Sequence, residues 1–142
     1  MSSDAYVALY DQIVELFGED DDRDPAASAA IWVALGELCE ADFNDHQRQS
    51  FEVARRFWDR RASEGERLAR LEVESGALDR LLANDDVRER ALQRIAFASL
   101  VAQPGWTSDH IECAVDCARA LAIPADRVRD ACRSIPAATH GT

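Results

Sequence analysis

A chain of 142 residues with 47% apolar and 30% charged side chains suits one globular domain with a sizeable core and a charged surface. Its net charge of −11 and pI near 4.6 argue against the electrostatic footprint of a nucleic-acid binder, and no apolar run reaches the roughly 20 residues that span a bilayer. The opening Met1-Ser2-Ser3-Asp4 lacks the basic region and apolar run of a secretory leader, so the expected location is the cytoplasm.

Nearly all of the excess charge lies at one end, where residues 1–44 hold eleven acidic side chains against one arginine. Five of those acids, Glu19, Asp20, Asp21, Asp22 and Asp24, crowd one short stretch. Such a field attracts basic surfaces and repels nucleic acid and anionic membranes. All sixteen basic residues are arginine, which GC-rich codon usage explains most simply.

Residues 4–17 place Tyr6, Leu9, Tyr10, Ile13, Leu16 and Phe17 at three- and four-residue steps, a helical stripe stopped by Gly18. After the acidic loop, Pro25 opens a second helix, since a first-turn amide needs no partner. Its buried face carries Ile31, Ala34, Leu35 and Leu38, and it breaks near Asp42-Phe43-Asn44-Asp45. A long third helix is expected from about Asp45, with Phe51, Ala54, Trp58 and Ala62 inward and Gly65 as the point of kinking or division. Arg48, Arg55, Arg56, Arg60, Arg61, Arg67 and Arg70 are expected on its outer face. Five interleaved acids reduce residues 45–71 to a net +2, so intrahelical ion pairs explain these arginines better than nucleic acid does.

A short fourth helix is expected to hold Leu78, Leu81 and Leu82, preceded by Gly76. Residues 86–102 form a fifth, whose second half, Ile95 to Ala102, is apolar nearly all round and therefore belongs at the centre of a bundle. Pro104-Gly105 turns the chain, and Thr107 or Ser108 caps a sixth helix bearing Ile111, Ala114, Val115, Ala118, Leu121 and Ala122. Ile123-Pro124 leads into a final helix with Val128, Ala131, Cys132 and Ile135. The expected fold is all-α: a bundle of six to seven helices in a single domain over residues 1–136, followed by a tail at 137–142.

Chemistry-bearing patterns are few. Asp20, Asp22 and Asp24 alternate as in the start of a calcium-binding EF-hand loop, but Pro25 stands where that loop requires glycine and Ile31 where it requires its closing glutamate. His110, Cys113 and Cys117 share one helix face, a weak candidate for metal or redox chemistry; three ligands on one helix rarely converge tetrahedrally, and buried cysteine packs as a small apolar residue. Cys39, Cys113, Cys117 and Cys132 have no disulfide-framework spacing. Trp106, beside the Pro-Gly turn, is either a binding anchor or a cap on the core. His46, His110 and His140 lie far apart, and no nucleophile elbow or phosphate loop occurs, so no enzymatic activity and no cofactor are expected.

Two stretches support a family resemblance. A helix ending Ala96-Phe-Ala-Ser-Leu-Val-Ala102 is followed by a glycine turn, Thr107-Ser-Asp109, and then Ala118-Arg-Ala-Leu-Ala-Ile-Pro-Ala-Asp126; earlier stands Ala34-Leu-Gly-Glu-Leu-Cys-Glu-Ala-Asp42. Together these cover about half of the chain and resemble the tellurite-resistance TerB-like family, with its alanine-rich helix, Asp-Gly turn and final Ala-Arg-x-Leu-Gly. The resemblance implies an all-helical fold of two related halves and a role in stress-linked assemblies. Where the family has Asp-Gly, this chain has Asp42-Phe43 and Pro104-Gly105, and its second turn offers only Asp109 and hydroxyls, so the family's metal site is not expected to carry over.

The function expected from these residues is that of an acidic helical module that binds a basic protein surface through Glu19, Asp20, Asp21, Asp22, Asp24, Glu37, Glu40, Asp42 and Trp106. An immunity- or antitoxin-type inhibitor of a basic toxin is the alternative, and a metal or redox protein using the His/Cys face is the second. Neither nucleic acid nor membrane insertion is expected.

Overall fold

The chain's apolar content is uneven along its helices, and this sets which of them lie inside. No charged residue occurs between Pro25 and Glu37, and none between Arg94 and Asp109. Helices cut from such stretches must be covered on all sides. A computed structural model describes residues 2–17, 25–59, 61–73, 86–101 and 110–135. They form seven α-helices: α1 (Ser2–Phe17), α2 (Pro25–Cys39), α3 (Asp45–Trp58), α4 (Glu64–Val73), α5 (Val87–Val101), α6 (His110–Ala120) and α7 (Ala125–Arg133). A 3-10 turn, Glu40–Asp42, follows α2, and no strand occurs among the described residues. None of the described helices is long and apolar enough to cross a membrane.

Helices α2 and α5 pack on each other in the middle. Helices α3 and α4 cover one side of this pair, α6 and α7 cover the other, and α1 packs on α6 and α7. Trp32, Ile31 and Leu35 of α2 and Leu92, Ile95 and Leu100 of α5 are almost wholly buried. The central place of α5 matches its expected position. Helix α2 is equally central, with Trp32 at 0% exposure, whereas its sequence suggested a single buried face. The stripe of α1 is as expected: Tyr6, Leu9, Ile13 and Phe17 are buried.

The expected long third helix is two helices. It stops at Trp58, and α4 begins at Glu64. Gly65 is not the cause, because it lies inside α4 with only Ser63 Oγ near its side-chain position, at 3.7 Å. The new start comes from Ser63, whose hydroxyl accepts from the Glu66 amide at 3.1 Å and so occupies an otherwise orphaned helix-start donor. The break re-aims the arginines downstream. Arg67, expected on the outer face, is 5% exposed. It donates to the Leu100 carbonyl at 2.8 Å and, through two nitrogens, to Glu64. Arg70 turns inward as well, reaching Ser50 Oγ at 2.8 Å and the His46 carbonyl at 3.0 Å.

The Arg67 contact has an electrostatic reason. The last four carbonyls of α5 have no partner within the helix and carry its negative dipole end. The Trp58 indole donates to the Ser99 carbonyl at 2.9 Å, and Arg67 takes the next one. At the start of α3, Asn44 and Gln47 form a reciprocal capping box. Gly36 lets α2 and α3 approach: a Cβ there would lie 2.6 Å from Cζ of Phe51.

Ala122 was expected within the stripe of the sixth helix. Instead α6 ends at Ala120, and Ala122 is exposed with φ 56°. Its amide donates to the Arg119 carbonyl at 3.1 Å and the Ile123 amide to Ala118 at 3.0 Å, the paired bonds of a Schellman ending. Pro124 then prevents continuation and leads into α7. The Tyr6 hydroxyl donates to the Ile123 carbonyl at 2.7 Å, which locks α1 onto this turn. The expected fourth helix (Leu78, Leu81, Leu82) and the turn at Pro104-Gly105 lie outside the described residues.

Candidate functional site

Of the acids expected to meet a basic partner, Glu19, Asp20, Asp21, Asp22 and Asp24 lie outside the described residues, as does Trp106. Glu37, Glu40 and Asp42 are described, and the chain's own arginines engage all three. Arg55 of α3 lies 3.5 Å from Glu37 and 3.2 Å from Glu40, and also pairs with Glu52 in its own helix. Burial works against the Arg55 charge, yet these carboxylates outweigh it and hold its pKa above the ordinary value. Arg88, at the start of α5, lies 2.8 Å from Asp42. These three acids brace α2 against α3 and α5, and their charge is partly neutralised before any partner arrives.

A different set of acids meets across α1 and α6. Tyr6 and Tyr10, and Val7 and Asp11, are each one turn apart on α1; Glu112 and Asp116, and Val115 and Arg119, are each one turn apart on α6. Where the two helices pack, these eight residues line a groove of about 380 Å³. Asp11, Glu112, Asp116 and Arg119 are exposed, and Val7, on the solvent side of α1, is 61% exposed. The floor is anchored at Tyr6, whose hydroxyl donates to the Ile123 carbonyl. Arg119 is already occupied: its guanidinium lies 5.4 Å from the Tyr6 ring centroid and 3.4 Å from Asp116 Oδ1. Three carboxylates therefore face one engaged cation, around an aromatic and aliphatic floor.

The sequence assigned Tyr6 and Tyr10 to the core and left Val7 unexplained. The legible signals were an apolar residue off the α1 stripe and two acids one turn apart on α6. Their convergence depends on how α1 crosses α6, and no spacing within one helix encodes that.

Of the His/Cys face, the Cys113 and Cys117 side chains are described. Among the described residues no group of three histidine, cysteine or acidic side chains could hold a metal ion. Cys117 and Cys132 are buried, as is Cys39, and burial pushes each thiol up to about 12. Thiols held protonated in this way are poor nucleophiles and poor zinc ligands. Cys113 is half-buried, and the His110 side chain is outside what is described. His46 meets Arg70 through its carbonyl and Nδ1.

A second, smaller cavity of about 140 Å³ lies between α5 and α6, where Arg90 and Arg94 face Asp116, Cys117 and Ala120. Comparison with protein-family models, with curated proteins and with solved structures finds no match to this chain.

Proposed function

We propose that this protein is a non-enzymatic helical module that binds a basic protein surface, with the groove between α1 and α6 as its contact. The observation that carries the proposal is the lining of that groove, where Asp11, Glu112 and Asp116 surround an exposed Val7 and two tyrosines, with Arg119 already engaged. Apolar floor and charged rim suit a partner segment that combines arginine or lysine with aliphatic side chains. The buried, protonated thiols and the scattered histidines support a binding role over a catalytic one.

A TerB-like stress-assembly component is the favoured setting. The family's Ala-Arg-x-Leu-Gly falls on Ala118 to Ala122, and the residue in the glycine's place, Ala122, has the positive φ that glycine adopts most readily. An inhibitor of a cationic toxin, in the manner of an immunity protein, would use the same surface chemistry. Either setting fits the cytoplasm.

The test is a nuclear magnetic resonance titration with a short synthetic peptide of alternating arginine and leucine, with an alternating glutamate–leucine peptide as control. The expected result is a set of amide shifts confined to residues 6–11 and 112–119, seen with the basic peptide alone. Shifts spread evenly over all acidic positions, or equal effects of the two peptides, contradict the proposal.

A further inference from the structure

The smaller cavity on the adjoining flank of α6 has the opposite chemistry from the groove. Arg90 and Arg94 stand one turn apart on α5, share a helix face and are both half-buried. Val87, Ala91, Cys117 and Ala120 complete apolar walls. Most described arginines are committed to a carboxylate or a carbonyl, as with Arg55, Arg67, Arg70 and Arg88. The Arg90 amide bonds the Asp86 carbonyl within the helix, but neither guanidinium makes a hydrogen bond or an ion pair with another described residue. Asp116 also lines the cavity, but it is exposed and engaged by Arg119 at 3.4 Å.

In a chain of net charge −11, two neighbouring half-buried guanidiniums whose one lining acid is paired with another arginine are the exception. Removing a charge from water is unfavourable unless a counter-charge accompanies it. The volume, about 140 Å³, is below the roughly 300–1,000 Å³ of ordinary small-molecule pockets. It matches one compact ionic group. A guanidinium presents its donors as a planar fork, and a single fork satisfies a carboxylate. Two forks one helical turn apart suit an anion that offers acceptors in several directions, which is the geometry of a phosphoryl group.

We propose that the α5–α6 cavity binds a phosphoryl group, either free phosphate or the head of a small phosphate monoester, between the guanidinium groups of Arg90 and Arg94. This site shares Asp116 with the basic-partner groove but takes its anion on Arg90 and Arg94, which the groove does not use, so either can fail without the other.

The test is titration of the full chain, followed by calorimetry and by the arginine side-chain resonances, with inorganic phosphate and with O-phosphoserine, each against chloride at matched ionic strength. Both oxyanions are expected to bind where chloride does not, with tighter phosphoserine binding pointing to a monoester and equal or weaker binding to the free ion. Arg94→Gln and Arg90→Gln are each expected to weaken binding about tenfold or more, the usual consequence of losing charge-assisted hydrogen bonds. Arg127→Gln, on the exposed face of α7, is expected to change nothing. Ala120→Leu narrows the cavity while keeping both charges and is expected to abolish binding, with thermal unfolding in chloride showing that each variant is folded. Phosphate indistinguishable from chloride, or folded Arg94→Gln and Ala120→Leu proteins that bind like the parent chain, would overturn the proposal.

Discussion

Ala122 takes a left-handed backbone conformation at φ 56°, which costs an alanine roughly 1–2 kcal/mol. It sits where a Schellman ending calls for glycine, and it is exposed, so no packing is lost when its methyl is removed. Ala122→Gly relieves the strain and returns roughly 0.4–1 kcal/mol of freedom to the unfolded chain. The first effect is larger, so a net stabilisation of about 0.5–1 kcal/mol is expected, measured as a higher urea midpoint. The buried thiols give a second residue-scale expectation. Cys132 titrates near its ordinary value of 9.0 when unfolded and near 12 when folded, with burial as the cause. Its contribution to stability is therefore fully present below about pH 9 and is lost as the pH rises toward 12. Urea unfolding at intervals across that window should show stability falling with pH, and Cys132→Ala should make the fall shallower by up to about 1.4 kcal/mol per pH unit. An unchanged slope contradicts the assignment.

At the scale of the element, two glycines invite the same substitution with opposite results. Alanine normally improves a helix interior by about 1 kcal/mol over glycine. At Gly36 the added methyl would meet the Phe51 ring, which is 0% exposed and packed 5.2 Å from Phe43, so the ring has little room to yield. Overpacking of this kind costs about 1–3 kcal/mol, and here it exceeds the propensity gain. Gly36→Ala is expected to destabilise by about 1–2 kcal/mol, and Gly65→Ala, in open space on α4, to be neutral or stabilising by up to about 1 kcal/mol. Paired thermal melts of the two variants check both signs.

The same scale shows what the sequence made legible. The central position of α5 followed from its apolar second half, and the start of α3 from the polar residues around Asn44. The division of the third helix was expected at Gly65, whereas the break falls before Glu64; Ser63-Glu64-Gly65-Glu66 carries the spacing of a helix start, but the arginine pattern continued across it. The inward turn of Arg67 and Arg70 was lost with that break. Helix α2 was assigned one buried face from its largest aliphatic residues, whereas the informative signal was the lack of any charge from Pro25 to Glu37.

At the scale of the whole molecule, the governing quantity is how the −11 charge is displayed. Glu37, Glu40 and Asp42 were legible as acids but not as braces, since their arginine partners come from other helices. The groove was not legible for the same reason: its two walls are about a hundred residues apart in the chain, and each wall taken alone is an ordinary helix face. That groove presents a negative rim over an apolar floor, with Asp116 paired to Arg119. Such a surface speeds encounter with a cation, and salt screens the advantage over roughly 10 Å at 0.1 M.

The most direct measurement is stopped-flow association of the arginine–leucine peptide with the parent chain and with Asp11→Asn/Glu112→Gln, across salt concentrations from about 0.02 to 0.5 M. The parent rate is expected to fall steeply with salt, and the variant, which leaves Glu37, Glu40 and Asp42 intact, to associate several-fold more slowly at low salt and converge with the parent at high salt. Equal rates for the two proteins at every salt concentration would contradict a partner surface centred on the α1–α6 groove.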